Sequence, residues 1–518
     1  MIDFTPLVRG RFVRQAERMD SWADSSEHTQ AAQLRGLLAM AARTECGSRF
    51  DFKGLSTISS DGELIRRYAE RLPVTAYEDI RPDVMRMLRG ERDILWPGRC
   101  RNFAQSSGTS GGKSKYIPIT RRALARNHYA GASDAVAAYL RLVPGSRLFS
   151  GKALILGGSF ANELPKDLVA PGTQVGDLSA TLIEKVNPLV NLFRIPSKKV
   201  ALMADWKEKL PAIIAVARKS YVTNLSGVPS WFLVLLRKLM EECATDNLND
   251  IWPGLEVFFH GGISFRPYRR QYESFTDPER MHFLENYNAS EGFFAVQTDF
   301  SSDAMTLLID RDVYYEFAPM RPDGSFGDPV DISSVEVGKV YSLIITTSSG
   351  LWRYDIGDTV QICSRAPLTL RIAGRTKSFI NAFGEELMQH NADDAIAKAC
   401  RLTNASIADY HAAPLYAEGG RRGRHQWLIE WIRVPDSIER FATLLDEALR
   451  EVNSDYQAKR EGDIFLAPLH LITARKGLFD DWLASSGNRK LGGQRKIPRL
   501  ANDRSVMEVL LALNDRKV

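Results

Sequence analysis

The chain has 518 residues, of which 44% are hydrophobic and 25% charged, and 68 basic and 63 acidic side chains give it a net charge of +5. This length exceeds what one hydrophobic core usually organises, so we expect two or more domains and room for an enclosed site. The mild charge and the absence of low-complexity tracts argue against a nucleic-acid-binding or disordered protein.

Residues 1 to about 100 carry apolar side chains at helical spacing in AAQLRGLLAMAAR and LIRRYAERLPV, which predicts a mostly helical segment. From Phe103 onward, short apolar runs such as KALILGG, SYVTNLSG, LEVFFHGG and YSLIITTSSG alternate with helical stretches. This alternation predicts α/β layering, in which ligands bind beyond the C-terminal ends of strands. The Gly pairs that end two of these runs fit such a site, but each alone also fits a plain turn.

The strongest motif is SSGTSGGKSK at residues 106–115. Its glycines let several backbone N–H groups face one anion, and its hydroxyls and lysines add donors, so polyphosphate is the natural ligand. A flexible surface loop is the alternative, but such loops rarely lead into a strand-like KYIPIT. A Walker P-loop needs a glycine where Ser107 stands, so the spacing indicates a different class of ATP site.

Two further motifs contain candidate magnesium- and nucleotide-binding residues, and each motif also has a purely structural interpretation. In YNASEG, Glu291 in a tight turn suits a magnesium ion and Tyr287 suits stacking on a purine, although an aromatic core contact and an exposed glutamate would look alike. In LWRYDIGD, Asp358 at a turn between strands suits a ribose diol, unless IGD is an ordinary hairpin turn. His260, at the end of LEVFFH, either contacts substrate or fills a core position, and we favour the core.

Beyond Arg375 the chain reads as a strand, a Gly turn and a helix in TKSFINAFGEELMQHNADDAIAKAC, followed by RHQWLIEWIRV, the helix ERFATLLDEALREVN and the strand-like FLAPLHLIT. This predicts a small α+β domain of roughly 140 residues. We place the hinge near residues 374–377, so the predicted domains are 1–374 and 375–518. A basic cluster near the C-terminus reads by itself as solvated surface: Arg489, Lys490, Arg495, Lys496 and Arg499.

The order SSGTSGGKSK, YNASEG, LWRYDIGD and GRTKSFINAFGEEL resembles the acyl-acid amido synthetases of the Gretchen Hagen family, within the acyl-adenylate-forming superfamily. The resemblance covers residues 106 to about 387. It implies an α/β fold: a large multi-layer N-terminal domain with parallel and mixed sheets and a β-barrel-like part, and a small, mobile α+β C-terminal domain. It also implies ATP and Mg²⁺, a carboxylic acid substrate, and an amine acceptor that we expect to be an amino acid.

Motif position in the family assigns the roles of individual residues. Lys496, in GQRKIPRL, would act catalytically at the α-phosphate, and Glu291 would hold the magnesium ion. Arg375 or Lys377 would contact the ribose or a phosphate. Tyr287 and the backbone near Gly261 and Gly262 would flank the adenine, and Asp358 would hold the ribose hydroxyls. The predicted ATP-binding residues are Ser106, Ser107, Gly108, Thr109, Ser110, Gly111, Lys115, Gly261, Gly262, Tyr287, Ala289, Ser290, Asp358, Arg375 and Lys377.

Two other functions stay open at this stage. A coenzyme A ligase would share the adenylation half-reaction, and a non-catalytic nucleotide-binding protein would share the fold, although Glu291, Asp358 and Lys496 together argue against the latter. The chain is shorter than the better-known plant members, which puts hormone-like acids in doubt. We expect residues 124–139, Trp231 and residues 293–300 to shape acyl specificity.

Location and partners follow from what the sequence lacks. The N-terminus has no apolar signal-peptide core, and the run WFLVLLRKLM is interrupted by charge. We therefore expect a cytoplasmic monomer with no nucleic-acid and no membrane partner. The cysteines are dispersed without a CxxC pair, which predicts neither disulfides nor a zinc site: Cys46, Cys100, Cys243, Cys363 and Cys400.

Overall fold

The computed structural model describes residues 2–106, 115–160, 164–263, 265–321, 325–375, 379–416, 422–463, 465–485 and 498–515. The chain divides into two compact units, one containing Met1–Ser106 and Lys115–Thr376, the other containing Lys377–Val518. All five cysteines are free thiols. Within the described residues, no helix has both the length and the apolar character needed to cross a bilayer.

The first unit begins with a helical segment, as its sequence predicts. Ser60 caps one of these helices by accepting a hydrogen bond from the Glu63 N–H, and Leu64 and Tyr68, one turn apart, form its buried face. The helices of this segment are α1 (Thr5–Asp20), α2 (Trp22–Ala41), α3 (Glu45–Arg49), α4 (Phe52–Ser56), α5 (Asp61–Arg71) and α6 (Tyr77–Leu88).

Strands and helices alternate through the rest of this unit. The strands are β1 (Asn102–Ser106), β2 (Lys115–Pro118), β3 (Lys152–Ile155), β4 (Gln174–Gly176), β5 (Arg194–Ile195), β6 (Val222–Gly227), β7 (Val257–His260), β8 (His282–Ala289), β9 (Gly292–Gln297), β10 (Met305–Leu307), β11 (Val313–Pro319), β12 (Val340–Thr347), β13 (Tyr354–Arg365) and β14 (Leu368–Arg375). The helices are α7 (Arg121–Ala123), α8 (Tyr129–Leu142), α9 (Leu178–Lys185), α10 (Lys198–Ala201), α11 (Trp206–Ala217), α12 (Pro229–Cys243), α13 (Leu248–Ile251) and α14 (Arg266–Ser274).

One large sheet organises the unit, with strand order β11-β12-β13-β14-β10-β9-β8-β7-β6-β3-β5. Neighbours from β5 to β8 are parallel, and neighbours from β8 to β11 are antiparallel. Phe258 and Phe259 of β7 are consecutive and so face opposite sides of the sheet. Phe258 packs on Phe232 of α12, and Phe259 packs on Tyr139 of α8, so helices cover both faces. The predicted α/β layering is confirmed.

The antiparallel half of this sheet is strongly curved. Tyr287 on β8 donates a hydrogen bond to Asp358 on β13 at 2.6 Å, although β9, β10 and β14 lie between these strands in the sheet. At about 4.8 Å per strand, a flat sheet would separate β8 from β13 by about 19 Å. The sheet therefore curls until the two strands meet, which gives the barrel-like part that the family resemblance implies.

A separate sheet, β2-β1-β4, carries the ends of the Gly-rich motif. β1 and β2 are antiparallel, with Ser106 opposite Lys115. β1 and β4 are parallel, with Ala104 opposite Gly176. Ser106 therefore leaves the sheet at the edge where β4 also ends.

The second unit is a small α+β fold, as predicted. Its strands are β15 (Phe379–Ile380), β16 (Leu387–Met388), β17 (Ser406–Leu415), β18 (Arg424–Arg433) and β19 (His470–Ala474). Its helices are α15 (Gln389–Thr403), α16 (Ile438–Val452), α17 (Ser454–Arg460), α18 (Leu478–Ser485) and α19 (Ser505–Asn514). β17-β18-β19 form one sheet, in which Tyr410 stacks on Trp427.

Candidate active site

Two parallel strands of the large sheet, β6 and β7, end side by side next to the parallel strand β8, which continues to Ala289. Gly227 of β6 lies opposite His260 of β7, which lies opposite Glu285 of β8. The predicted residues Gly261 and Gly262 follow directly after β7, and Tyr287 lies within β8, two residues beyond Glu285. Since ligands of α/β sheets bind beyond the C-terminal ends of parallel strands, this edge is the natural location of a site.

Gly261 and Gly262 are required by the backbone itself. A Cβ atom at Gly261 would lie 2.4 Å from the Asn286 carbonyl oxygen, so the chain runs directly against β8 there. A Cβ atom at Gly262 would meet nothing closer than Val228 Cγ2 at 3.6 Å, but the φ of +82° at this position favours glycine. The close approach exposes backbone rather than side chains at this edge, as the predicted adenine contact needs.

Tyr287 and Asp358, predicted from two different motifs, are in direct contact. The Tyr287 hydroxyl donates to Asp358 Oδ2 at 2.6 Å, and both side chains are buried. The Tyr287 ring packs edge-on against Phe294. The tyrosine therefore fixes the orientation of the carboxylate that the sequence assigns to the ribose.

The position of Asp358 differs from the expectation in one respect. We expected a turn between strands, but Asp358 lies inside the continuous strand β13. Asp355 Oδ1 accepts a hydrogen bond from the Gly357 N–H at 2.8 Å, and the pairing of β12 with β13 shifts register nearby. This bulge replaces the turn, because an irregular strand can redirect a side chain without ending the pairing. In the next pair along the sheet, Asp358 lies opposite Arg375 of β14.

Glu291 lies in the tight connection from β8 to β9. Ala289 pairs with Gly292, so Ser290 and Glu291 form the tip of this connection. The Glu291 side chain is 7% exposed. Asn127, which sequence reasoning did not identify, holds the strand that follows: its Oδ1 accepts from the Phe293 N–H at 2.7 Å, and its Nδ2 donates to the Phe293 carbonyl at 3.0 Å. This buried amide therefore fixes the backbone beside Glu291.

The Gly-rich motif is described only at its two ends. Ser106 and Lys115 face each other across β1 and β2, and the Lys115 ammonium lies 5.9 Å from the centre of the Tyr77 ring. Burial raises the pKa of Tyr77 to about 12, so this ring carries a neutral hydroxyl, which accepts from the Tyr116 N–H. The predicted phosphate-binding residues between them lie outside the described residues: Ser107, Gly108, Thr109, Ser110 and Gly111.

The chain that follows β3 is held by side chains that the sequence analysis missed. Lys209, 1% exposed, donates its ammonium to the Gly157 carbonyl at 2.6 Å. Asp177, directly after β4, accepts from the Ser159 N–H at 2.8 Å. These contacts tie the end of β3 to the small sheet that carries Ser106. Such long-range partners leave no local sequence signal.

His260 occupies a core position. Its ring is 1% exposed and stacks on Phe265 at 4.1 Å between centroids. Burial lowers the pKa of His260 to about 3, so the imidazole is neutral near pH 7. These observations fit the favoured sequence interpretation of a core residue.

Arg353, from the LWRYDIGD motif, serves the fold rather than the site. It makes a two-pronged ion pair with Glu316 at 2.8 and 2.9 Å. It also donates to the carbonyl oxygens of Ala69 and Leu72. The two members of this pair are 6% and 4% exposed.

Two predicted residues, Lys377 and Lys496, lie outside the described residues. Further along, residues 499–501 pack within the second unit. The Ala412 N–H donates to the Arg499 carbonyl at 2.8 Å, and the Ala501 N–H donates to the Ala412 carbonyl at 3.0 Å. Residues 499–501 therefore run along β17.

Across the described part of the chain, no cluster of three or more His, Cys, Asp or Glu side chains could hold a metal ion by itself. Magnesium does not need such a cluster, because it commonly binds one or two carboxylates together with substrate phosphates. The buried carboxylate of Glu291 at this edge fits that mode. The donor set is therefore compatible with a magnesium ion that arrives with a nucleotide.

Comparison with known families gives a consistent match along the chain. The GH3 family N-terminal domain matches residues 15–167 and 146–281, the GH3 family central domain matches 306–375, and the GH3 family C-terminal domain matches 390–505. Indole-3-acetic acid-amido synthetase GH3.4 of Arabidopsis thaliana is 24% identical, over 98% of this chain and 94% of the relative.

Solved structures share the fold. The AtGH3.15 acyl acid amido synthetase in complex with 2,4-DB superposes with a TM-score of 0.62 at 20% identity, over 99% of this chain and 97% of that one. A 2-hydroxyisobutyryl-CoA ligase, in complex with 2-HIB-AMP and CoA, superposes with a TM-score of 0.54 at 14% identity, over 94% and 91%. At these identities the likeness establishes the fold alone.

Proposed function

This chain belongs to the GH3 family, and from that premise we propose that it is an acyl acid amido synthetase. It adenylates a carboxylic acid with ATP, releasing pyrophosphate, and then transfers the acyl group to the amine of an amino acid, releasing AMP. The named relatives are amido synthetases that match nearly the whole chain, which supports ATP use and small-molecule substrates.

The observation that carries the proposal is the contact between Tyr287 and Asp358. The two residues come from separate predicted nucleotide motifs, and only the curl of the sheet brings them together. Tyr287 lies on β8, one of the parallel strands beyond whose C-terminal ends ligands of α/β sheets bind, so the pair is positioned where a nucleotide would be expected.

We assign the roles in adenylation as follows. Residues 106–115 bind the β and γ phosphates, Asp358 binds the ribose hydroxyls, and Glu291 holds the magnesium ion. A magnesium ion held there would neutralise charge on the pyrophosphate leaving group. Lys496 donates to the α-phosphate, where negative charge grows as the carboxylate attacks, so its ammonium stabilises the transition state more than the ground state.

The second step uses the activated carbonyl. The amine attacks the acyl carbon, loses a proton, and AMP departs with the electrons of the acyl–phosphate bond. We place the ATP and acid sites in residues 1–374 and assign 375–518 to a mobile domain with its hinge near 374–377. These limits rest on the sequence pattern beyond Arg375 and agree with the family resemblance, and the acyl pocket is expected near 124–139, Trp231 and 293–300.

The acceptor decides between the amide and thioester reactions. The purified chain would be incubated with ATP, Mg²⁺ and a panel of carboxylic acids that includes indole-3-acetate and 2,4-DB, with either mixed amino acids or coenzyme A. We expect AMP and an amide, detected by mass spectrometry, when amino acids are present. A thioester product with coenzyme A, together with no product when amino acids are the acceptor, would reject the amide proposal.

Lys496→Ala tests the adenylation step. We expect carboxylate-dependent pyrophosphate exchange to fall about 10²-fold, the effect of removing one preorganised donor, while ATP binding changes little. Lys490→Ala is the matched control, because it removes a cation from the same basic cluster. Equal exchange rates in the two variants would reject the catalytic role of Lys496. That result would not bear on whether the acceptor is an amino acid or coenzyme A, because exchange measures the adenylation step alone.

A further inference from the structure

An exposed apolar surface lies far in sequence from the motifs described above. It combines the N-terminal segment with the 3₁₀ turn Val190–Phe193 that leads into β5. Leu7, Leu189 and Leu192 are 80%, 67% and 61% exposed, well above what a core-facing side chain retains. We call the set the N-terminal apolar surface: Ile2, Phe4, Leu7, Leu189, Val190, Leu192 and Phe193.

The two segments form one surface because they touch. The rings of Phe4 and Phe193 meet edge to face with centroids 5.7 Å apart. The Phe4 N–H donates to the Phe149 carbonyl, which fixes the N-terminal segment to the body of the unit. Lys152 holds the turn by donating its ammonium to the Leu192 carbonyl. Isolated exposed leucines are ordinary, but a contiguous cluster marks a binding surface.

The charge around this surface is predominantly positive. Residues 2–14 and 184–199 contain seven basic side chains and two acidic side chains, Asp3 and Glu184. The Asp3 carboxylate is engaged by the Thr5 N–H and by Arg147, and the Glu184 carboxylate lies 4.0 Å from the Lys198 ammonium. The basic residues with exposed side chains are Arg11, Arg14, Lys185 and Lys199. Apolar side chains surrounded by lysine and arginine are the pattern of a protein face that lies on a negatively charged bilayer.

We propose that the N-terminal apolar surface docks on the surface of an anionic phospholipid membrane, with its leucine and phenylalanine side chains in the interfacial region and its cations on the headgroups. This revises the sequence-based expectation of no membrane partner. A second copy of the chain is a poorer occupant, because a two-fold interface would place the same cations against each other. The proposal is independent of the amido synthetase activity.

Vesicle sedimentation tests the docking. The full chain would be spun with extruded vesicles of phosphatidylcholine alone and of phosphatidylcholine mixed with phosphatidylglycerol. We expect binding to the mixed vesicles that weakens with added salt. Leu189→Asp/Leu192→Asp and Lys185→Glu/Lys199→Glu should each weaken it by about tenfold or more. The matched control is Leu402→Asp/Ile432→Asp, which changes exposed apolar residues of the other unit (51% and 73% exposed) and should bind as the wild type does.

Pyrophosphate exchange with a water-soluble acid should be unchanged in every variant, which shows that each is folded. Absence of binding to the mixed vesicles, or equal binding by Leu189→Asp/Leu192→Asp, would overturn the proposal. So would a dimer in sedimentation velocity without lipid that these two aspartates dissociate, since the surface would then belong to a second copy. A lysate protein captured by the wild type in place of lipid would overturn it as well.

Discussion

Arg353 and Asp358 lie five positions apart in one motif, yet they are held by different regions of the molecule. Arg353 is surrounded by groups that build the fold: the Glu316 carboxylate on β11 and two carbonyls at the end of α5. Asp358 is held by Tyr287, at the edge where parallel strands end. The difference shows that a motif can mix scaffold and site residues.

The contrast predicts which measurement each residue controls. A buried ion pair with satisfied partners is costly to break, because the remaining charge is left without its counter-ion. A carboxylate positioned at a binding edge affects ligands more than folding. Substitutions in this short stretch should therefore separate stability from activity.

The largest effect is expected for Arg353→Met. It leaves the Glu316 carboxylate buried and unpaired, so we expect the free energy of unfolding to fall by about 3–5 kcal/mol. Urea denaturation would measure it. Arg371→Met, which breaks the more exposed pair with Asp303, is the control and should cost less than about 1 kcal/mol. Similar losses in both variants would show that the Arg353 pair is not part of the scaffold.

Asp358→Asn should act mainly on catalysis. The amide keeps the shape and can still accept from Tyr287, but it loses the charge that strengthens hydrogen bonds to the ribose. We expect kcat/KM for ATP to drop by about 10²-fold, roughly 2.7 kcal/mol, with an unfolding midpoint near that of the wild type. Asp355→Asn changes the neighbouring carboxylate that holds the bulge. Loss of activity in both variants to the same degree would contradict a specific role for Asp358.

His260, whose buried ring is neutral, belongs with Arg353 among the residues that should affect stability rather than catalysis. Its pKa is about 3 in the folded protein, against an unperturbed value of 6.5, so below pH 6.5 the unfolded state alone takes up the proton. Stability should fall as the pH drops from 6.5 towards 3. The cost between pH 7 and pH 5 is about 2 kcal/mol, and His128, with a pKa lowered to about 4 by burial, adds to it in the same direction.

Denaturation at pH 7 and pH 5 would test the histidine prediction. His260→Gln should lose less stability than the wild type between these pH values. Leu402→Ala changes an exposed, uncharged side chain (51% exposed) and should leave the pH dependence unchanged. If the unfolding free energy changes equally between pH 7 and pH 5 in all three proteins, His260 does not contribute to the pH dependence of stability.

The smallest effect is expected for Tyr287→Phe. It removes one hydrogen bond to Asp358 but keeps the ring, so ATP affinity should fall about tenfold, equivalent to about 1.4 kcal/mol. Isothermal titration would measure the affinity. Tyr416→Phe removes a hydroxyl that donates to the Asn502 carbonyl within the second unit, and should leave ATP affinity unchanged. An unchanged affinity in Tyr287→Phe would mean that Asp358 needs no such support.

Local sequence pattern predicted much of this fold. The runs KALI, VTNLSG, VFFH and YSLIITT are strands because apolar and β-branched side chains suit a sheet that is covered on both faces. β17 was missed, since Ala412 and Ala413 fill its buried positions with side chains too small to give a strand pattern. The bulge at Gly357 was missed as well, because it depends on how β12 pairs with β13.

Some residues of the candidate site could likewise be predicted from the sequence, and others could not. Tyr287 and Asp358 could be named from their motifs, but their contact could not, because it depends on the curvature of a whole sheet. Asn127 and Lys209 could not be named at all. Each is a common polar residue in a helical stretch, and its importance comes from backbone groups of distant strands. The roles of Lys377, Lys496 and the middle of the Gly-rich motif stay predictions.

The close approach at Gly261 limits what could be changed in this enzyme by design. Any larger residue at 261 collides with the main chain of β8, which cannot turn aside as a side chain can. At Gly262 the obstacle is the positive φ of the backbone, which larger residues rarely adopt. We therefore expect a variant library to yield no tolerated substitution at either position, because of a steric collision at 261 and backbone conformation at 262. Work to broaden the range of acids should leave Gly261 and Gly262 unchanged and sample positions in 124–139 and 293–300 other than Asn127, which holds the backbone of Phe293.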